Sequence, residues 1–260
     1  MPAPGRRRPH PSLIALIVIC VLAATPVGAA GLGVAATRDG LVVRGDATSD
    51  RLTVEFPEPD VVVLRSARGA IAVASSASDG RGAARCSPGA TMVRCEAPAG
   101  SLGMRLRIAT GAGNDRVRFR SPSTVQGGIL APVVDGGPGR DVLTGDGTLI
   151  GGPGDDVIRV VDGVVSSALI GGPGNDLLRG GGGDDVLMGG RGRDRLIDLG
   201  GVNWFIGGAN RDVVVLARRL TPGSASVGGF GRVRAGGLDT VHWDVERVRS
   251  VAVRAVGAGI

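Results

Sequence analysis

Apolar residues recur with a period of nine along the middle of the chain, each behind a glycine-rich turn. From residue 171 the register is unbroken, with units beginning at 171, 180, 189, 198 and 207. Units beginning at 136, 151 and 162 repeat the pattern with looser spacing. In a regular unit such as GGPGNDLLR (171–179), glycines precede an Asp at position six and an aliphatic residue at position eight. This pattern predicts the three-residue strands of a parallel β-solenoid.

Position eight is apolar in every unit, including two weaker units at 45–53 and 110–118. Because side chains alternate between the two faces of a strand, one inward residue per short strand is enough to fill a narrow core. Trp204 and Trp243 are interpreted as core or cap packing, with a sugar-binding platform as the alternative. The position-eight residues are Leu52, Val117, Leu143, Ile158, Leu169, Leu178, Leu187, Leu196, Phe205 and Val214.

Composition divides the chain into four segments. Residues 1–30 are predicted to be a secretory signal peptide, because a basic stretch precedes the apolar run Leu13–Ala24 and a small-residue exit. Residues 31–109 are interpreted as a degenerate β-rich extension of the solenoid, with a separate small β-domain as the alternative. Residues 110–216 are the repeat region, and 217–260 are expected to form a β cap over the last coil. We therefore expect an extracellular protein without a membrane span after signal cleavage.

Cysteine content predicts a disulfide, and the charge distribution excludes one class of binding partner. Beyond the predicted signal peptide only Cys86 and Cys95 remain. An even number in an oxidising compartment predicts a disulfide, which would contribute about 2–3 kcal/mol. The net charge is +6 and all 30 basic residues are Arg, but they are spread along the chain without aromatic stacking partners. We therefore expect no nucleic-acid partner.

The position-six carboxyls are spaced to bind a hard cation. Calcium takes six to eight oxygen ligands at about 2.3–2.6 Å, and each turn offers an Asp carboxylate and several backbone carbonyls. The turns contain no thiolate or imidazole ligand, which favours calcium over a softer metal. The candidate ligands are Asp115, Asp141, Asp156, Asp176, Asp185, Asp194 and Asp212 at position six, with Asp155, Asn175 and Asp184 at position five.

Successive turns are expected on opposite edges, because two nine-residue units make one coil. The opposite edge has a shortened turn at Gly145–Gly147 and then Ser167, Asp185 and Asn203, so its acidic column is broken. We expect calcium on one edge and a mostly empty second edge. The unbroken column consists of Asp141, Asp156, Asp176, Asp194 and Asp212.

Two considerations bear on whether the turns need the ion. Like charges about 5 Å apart repel by roughly 3 kcal/mol at an effective dielectric near 20, so a metal-free Asp column opposes folding. This favours folding coupled to calcium. However, position five is Arg140, Arg193 or Arg211 in three turns of the favoured edge. The alternative is a metal-free solenoid in which Asp only caps the turns.

The turn sequences over 136–215 resemble the hemolysin-type calcium-binding repeat, or RTX repeat, of secreted bacterial toxins, proteases, lipases and epimerases. The resemblance implies a right-handed parallel β-roll of the all-β class. It also implies calcium held by position-six Asp residues and turn carbonyls. It does not imply lysis, because members that lyse or hydrolyse carry another domain for that activity.

Motifs for catalysis are absent from the sequence. It contains no G-x-S-x-G and no H-E-x-x-H, and His242 is the only histidine beyond the predicted signal. We therefore expect a secreted, non-catalytic calcium-binding protein with a structural, adhesive or envelope-associated role. Cell-surface polysaccharide or the envelope is the candidate partner besides calcium. The alternative is a polysaccharide-active or accessory β-solenoid, such as a lyase- or epimerase-associated module.

Overall fold

The computed structural model describes residues 31–37, 40–58, 60–74, 84–87, 89–97, 105–119, 130–161, 166–201, 203–216, 240–241 and 247–250. The expected signal peptide, Trp243 and most of the expected cap lie outside these residues. Every helix or strand in the described part is a strand, which confirms the all-β class. That part of the chain holds no helix long and apolar enough to span a bilayer.

Short strands follow one another along the whole described chain. The strands before the first regular repeat are β1 (Leu32–Thr37), β2 (Gly40–Arg44), β3 (Arg51–Glu58), β4 (Val61–Ser66), β5 (Ile71–Ala74), β6 (Arg85–Ser87), β7 (Met92–Glu96), β8 (Arg105–Ala109), β9 (Arg116–Phe119) and β10 (Leu130–Asp135). The later strands are β11 (Val142–Thr144), β12 (Thr148–Ile150), β13 (Val157–Arg159), β14 (Ala168–Pro173), β15 (Leu177–Arg179), β16 (Val186–Arg191), β17 (Arg195–Asp198), β18 (Trp204–Ala209), β19 (Val213–Leu216), β20 (Thr240–Val241) and β21 (Arg247–Ser250).

The strands form two sheets, and from β8 onward successive strands alternate between them. The ten-stranded sheet runs β20-β18-β16-β14-β12-β10-β8-β2-β1-β5, and the eleven-stranded sheet runs β21-β19-β17-β15-β13-β11-β9-β3-β4-β7-β6. Each strand from β8 to β19 pairs in parallel with the strand two places further along the chain. The chain therefore crosses from one sheet to the other at every turn, and equivalent turns are stacked.

Register places the position-eight side chains in one continuous inner row of each sheet. Leu143 pairs with Ile158, and Ile158 pairs with Leu178. All ten predicted position-eight residues are buried, none more than 2% exposed, and they belong to one hydrophobic cluster. The prediction of a thin aliphatic core is confirmed, because the nine-residue period brings the same position inward in each strand.

The first part of the chain joins this core but makes the sheets mixed instead of purely parallel. β2 and β3 pair in parallel with β8 and β9, in register with the repeats. Antiparallel pairs β1–β2, β3–β4, β4–β7 and β6–β7 lie beyond them. The predicted disulfide is present between Cys86 and Cys95, which face each other across β6 and β7. We call β4 to β7, residues 61–96, the insert.

Trp204 corrects one sequence-based interpretation. Its side chain is 57% exposed, whereas core or cap packing was expected. Trp204 occupies position seven of its unit, and the neighbouring Phe205 takes the inward position with 0% exposure. Strand alternation therefore directs the tryptophan to the outer face of the ten-stranded sheet.

Candidate metal centre

A column of buried aspartates lies along one edge, where the chain passes from the ten-stranded to the eleven-stranded sheet. Each of these turns ends in an Asp immediately before a strand of the eleven-stranded sheet, and none of the seven side chains is more than 4% exposed. We call this set the Asp column. It consists of Asp50, Asp115, Asp141, Asp156, Asp176, Asp194 and Asp212.

From Asp115 onward, Oδ1 of each column Asp accepts a hydrogen bond from the preceding turn, which makes six bonds among the seven residues. The backbone N–H of each Asp in the column donates to Oδ1 of the next Asp, from Asp50 to Asp115 and onward to Asp212, at 2.6–2.9 Å. These bonds hold each carboxylate in one orientation and align successive turns. The column is therefore a regular hydrogen-bonded ladder.

The other carboxylate oxygen, Oδ2, accepts no hydrogen bond. Oδ2 of all seven column residues is buried without a hydrogen bond, and these seven atoms are the only buried side-chain N or O atoms in that condition among the described residues. A buried acceptor left without a donor costs about 1–3 kcal/mol, and more when it is charged. Seven such atoms in a row fit a cation, which would supply the missing interaction.

Glycine at position one keeps the space beside these oxygens open. A Cβ on Gly136 would overlap Oδ2 of Asp141 and the carbonyl oxygen of Gly151 in the next coil. The same holds for Gly151, Gly171 and Gly189, each against its own column Asp and the position-one carbonyl of the following turn. We call one column Asp, the position-one residue of its turn and the position-one carbonyl of the following turn a step of the column. At each of these four steps a carboxylate oxygen and a carbonyl oxygen flank one space, and both are the hard oxygen ligands that calcium prefers.

Burial makes the metal-free charged column unfavourable. It raises the pKa of Asp156 and Asp176 from 3.8 to about 7 and that of Asp50, Asp141 and Asp194 to about 6, with neighbouring column carboxylates adding to the rise. Burial also raises the pKa of Asp115, against the lowering effect of the Asp50 backbone N–H. A bound cation would favour the ionised form that burial opposes.

On the opposite edge, the side chains of Asp185 and Asn203 are hydrogen-bonded within the protein. The Ser167 N–H donates to Asp185 Oδ1 at 2.8 Å, and the Asp185 N–H donates to Asn203 Oδ1 at 2.7 Å. Oδ2 of Asp185 accepts the Gly181 N–H at 2.7 Å, whereas the column carboxylates lack this bond. The amide Nδ2 of Asn203 donates to the Gly200 carbonyl at 2.8 Å.

The position-five candidates lie outside the Asp column. Asp155, Asn175 and Asp184 are exposed. Asp155 Oδ1 accepts both the N–H and Nδ2 of Asn175, at 2.8 and 3.1 Å, and these bonds lower the pKa of Asp155. Asn175 Oδ1 in turn accepts the Arg193 N–H at 3.0 Å. Position-five residues of this edge therefore form an outer hydrogen-bonded row. The structure does not bring these three side chains to the buried Oδ2 atoms that lack a hydrogen bond, which we call the orphaned oxygens.

The column also includes a residue that the sequence-based ligand set omitted. Asp50 has the same orphaned Oδ2 as the repeat residues, and the signal for it was present in GDATSD (45–50), which has Gly at position one and Asp at position six. In the described part of the chain, no three His, Cys, Asp or Glu side chains converge closely enough to hold a metal ion by themselves. A cation here would therefore depend on backbone carbonyls as well as on column Asp residues.

Stacked glycine turns with one buried aspartate each define a class of all-β protein with repeated cation-binding turns. The RTX calcium-binding nonapeptide repeat matches this chain in four copies, over residues 144–160 and 168–196. The chain therefore carries RTX repeats, as the sequence resemblance indicated, and calcium is the cofactor that these repeats bind. No curated protein and no solved structure matches the chain.

Proposed function

We propose that this chain is a secreted, non-catalytic calcium-binding protein whose folding is coupled to calcium bound along the repeat part of the Asp column, from Asp141 to Asp212. The observation that carries the proposal is the row of buried, unpartnered Oδ2 atoms beside open glycine positions. The matched repeats include Asp156, Asp176 and Asp194, which belong to this row. Calcium would supply a positive charge to oxygens that have no donor in the protein.

The complete steps of the column are the proposed calcium sites in the repeat region. Asp141, Asp156, Asp176 and Asp194 each have a position-one glycine and a carbonyl oxygen from the following turn. Asp212 has the glycine and the orphaned oxygen, and ends the described column. Asp185 has hydrogen bonds to both carboxylate oxygens, so we propose that the opposite edge is mostly empty.

The architecture that we propose is a right-handed parallel β-roll over 110–216, with 31–109 as an extension and 217–260 as a cap. The parallel pairing of β8 to β19 in two sheets supports a roll, and the in-register pairs β2–β8 and β3–β9 support an extension. The Cys86–Cys95 disulfide supports an oxidising, extracellular location.

We propose a structural or adhesive role at the cell envelope, which the stacked strands and the calcium-binding repeats support. A cavity of about 630 Å³ beside the last turns is lined by Arg193, Arg195, Arg211 and neighbouring residues, none of them aromatic. A sugar ring would find no aromatic face to stack on among the residues that line this cavity, and the exposed Trp204 is not one of them.

Calcium titration of the purified protein tests the proposal. Far-UV circular dichroism should show a gain of β signal as calcium rises to about 10 mM, which exceeds the affinity range typical of extracellular modules. Magnesium at the same concentration should give a smaller change. A folded spectrum that stays unchanged after chelation would show a metal-independent solenoid and reject calcium-coupled folding.

Substitutions test whether the calcium-dependent change in circular dichroism depends on the Asp column. Asp176→Asn should raise the calcium concentration at the midpoint, because it removes one charged ligand at the centre of the matched repeats. Asp60→Asn is the matched control, because Asp60 is an exposed turn residue before β4. Equal midpoints for the two variants would exclude the Asp column as the binding site.

A further inference from the structure

Two turns outside the matched repeats meet at the N-terminal end of the Asp column. The turn 45–50 joins β2 to β3, and the turn 110–115 joins β8 to β9. The insert lies between them in the chain, so Asp50 and Asp115 are 65 residues apart in sequence. Parallel pairing of β3 with β9 brings the two turns into the stacking relation that successive repeats have.

The two carboxylates repeat the ladder geometry of the column. The Asp50 N–H donates to Asp115 Oδ1 at 2.6 Å, and the side chains are 4% and 0% exposed. Oδ2 of Asp50 and Oδ2 of Asp115 are both buried without a partner. Two unpartnered acidic oxygens therefore lie in the interior at a place that no repeat match covers.

The space beside Asp50 resembles a repeat site in its oxygen atoms and its glycine. The Arg68 guanidinium is also close, since it donates to the Ser49 carbonyl at 3.3 Å and partly offsets the effect of burial, which raises the pKa of Asp50. A Cβ on Gly45 would overlap Asp50 Oδ2 and the carbonyl oxygen of Thr110 in the next turn. Gly136 stands in the same relation to its own column Asp and to the carbonyl of Gly151. The turn 45–50 thus has an orphaned carboxylate oxygen, a carbonyl from the following turn and a glycine between them.

The next step of the column is different, because Thr110 replaces glycine at position one. Its side chain is fully buried, and its hydroxyl donates to the Gly136 carbonyl at 2.9 Å. With that proton directed to Gly136, no hydrogen bond reaches Oδ2 of Asp115, although burial raises the pKa of this carboxyl and the nearby Thr110 hydroxyl partly opposes that rise. The space next to the Gly136 carbonyl holds the Thr110 side chain, whereas glycine leaves the equivalent space open at the repeat turns.

We propose that the turn 45–50 binds its own calcium ion, held by Asp50 and the Thr110 carbonyl and separated from the repeat sites by the Thr110 step. The inference rests on the proposed calcium column. The ion would join two turns that the insert separates in sequence, and so stabilise the pairing of β3 with β9. Calcium would then hold the disulfide-bearing insert against the repeats as well as ordering the repeats themselves.

The test compares the wild-type protein with Asp50→Asn, Asp176→Asn and Asp60→Asn. Bound calcium per chain is measured by equilibrium dialysis. Hydrogen exchange with and without calcium is followed by mass spectrometry on peptides covering 45–54, 105–118 and 171–196. Asn retains the shape of Asp, removes its charge and replaces one carboxylate oxygen with an amide NH2 group. Asp60→Asn makes the same change in an exposed turn near the same strands.

Asp50→Asn should lose one bound calcium per chain and the calcium-dependent protection of 45–54 and 105–118, while 171–196 keeps its protection. Asp176→Asn should lose protection in 171–196, and Asp60→Asn should match wild type. Unchanged stoichiometry and protection in Asp50→Asn would overturn the Asp50 site alone. Wild-type protein that binds no calcium would overturn the proposed function together with it.

A measurement on the wild type does not depend on how the variant folds. Peptides 45–54 and 105–118 should gain protection as calcium is added, because Asp50 and the Thr110 carbonyl lie on the two segments. Protection that rises in 171–196 but stays constant in both N-terminal peptides would refute the Asp50 site and leave the repeat sites intact.

Discussion

Replacing Asp176 with Asn should change protein stability in opposite directions with and without calcium. The substitution preserves the acceptor for the Asp156 N–H, which donates to Oδ1 at 2.8 Å. It replaces the orphaned Oδ2 with an amide nitrogen. A Cβ on Gly171 would meet both Asp176 Oδ2 and the Gly189 carbonyl, so that nitrogen lies beside a carbonyl acceptor. Asn203 already makes this kind of bond on the opposite edge, to the Gly200 carbonyl.

Without calcium the variant should be the more stable protein. Burial raises the pKa of Asp176 from 3.8 to about 7. Three pKa units correspond to about 4 kcal/mol, which is the upper limit of the penalty that Asn removes above pH 7. Desolvation of the amide reduces this gain, and we expect about 1–3 kcal/mol to remain.

With calcium the sign should reverse, because the variant loses a charged ligand. Binding to one folded-state site contributes about 2.7 kcal/mol when free calcium is about 100 times Kd. A variant that cannot use this site should lose up to that amount. Because about 2.7 kcal/mol exceeds the midpoint of the roughly 1–3 kcal/mol that the variant gains in chelator, wild type should be the more stable protein in calcium, by less than about 2 kcal/mol, and the less stable one in chelator.

Urea denaturation followed by circular dichroism, at about pH 8 with either chelator or saturating calcium, measures both differences. The Asp60→Asn protein is the control and should follow wild type in both conditions, because Asp60 is exposed. Destabilisation of Asp176→Asn in chelator as well as in calcium would refute the reasoning. It would show that the Asp176 carboxylate already has a stabilising partner in the metal-free protein.

Further predictions concern pH, glycine, threonine and the disulfide. The pKa of the column carboxyls is raised in the folded state, to about 6 for Asp141 and about 7 for Asp156. Because the folded protein then holds protons that the unfolded chain releases above about pH 4, the metal-free protein should be most stable below about pH 4 and lose stability up to about pH 7. Urea midpoints measured across this pH range test the prediction. Gly171→Ala adds a methyl group against Asp176 Oδ2 and should weaken calcium binding by about tenfold or more, which corresponds to about 1.4 kcal/mol. Calorimetry measures this affinity, and an unchanged value would contradict the site geometry. Thr110→Gly should open the blocked step and add one calcium per chain by equilibrium dialysis; an unchanged count would show that Thr110 does not block it. Replacing Cys86 and Cys95 with Ala should lower stability by about 2–3 kcal/mol in urea titrations and leave calcium stoichiometry unchanged.

Local pattern was sufficient to predict much of this protein. The nine-residue period identifies the inward residue of each strand, because strand geometry alternates side chains between faces. Leu143, Ile158 and Leu178 are accordingly fully buried. Glycine turns with one Asp each predicted oxygen-based cation chemistry, and the even cysteine count predicted the Cys86–Cys95 disulfide. These features depend on residues near one another in the chain.

Only the tertiary structure decides which acidic oxygens lack a partner. Asp176 and Asp185 both occupy position six of a glycine turn, yet Asp185 Oδ2 accepts the Gly181 N–H and Asp176 Oδ2 accepts nothing. Hydrogen-bond satisfaction depends on which donors approach once the turn has folded, so the motif alone does not distinguish the two. Asp50 joins the column for a related reason, because pairing of β3 with β9 brings it to Asp115 across 65 residues of sequence. The sequence by itself determined the strands, the core positions and the type of ligand, whereas stacking between coils determined where the unpartnered oxygens lie.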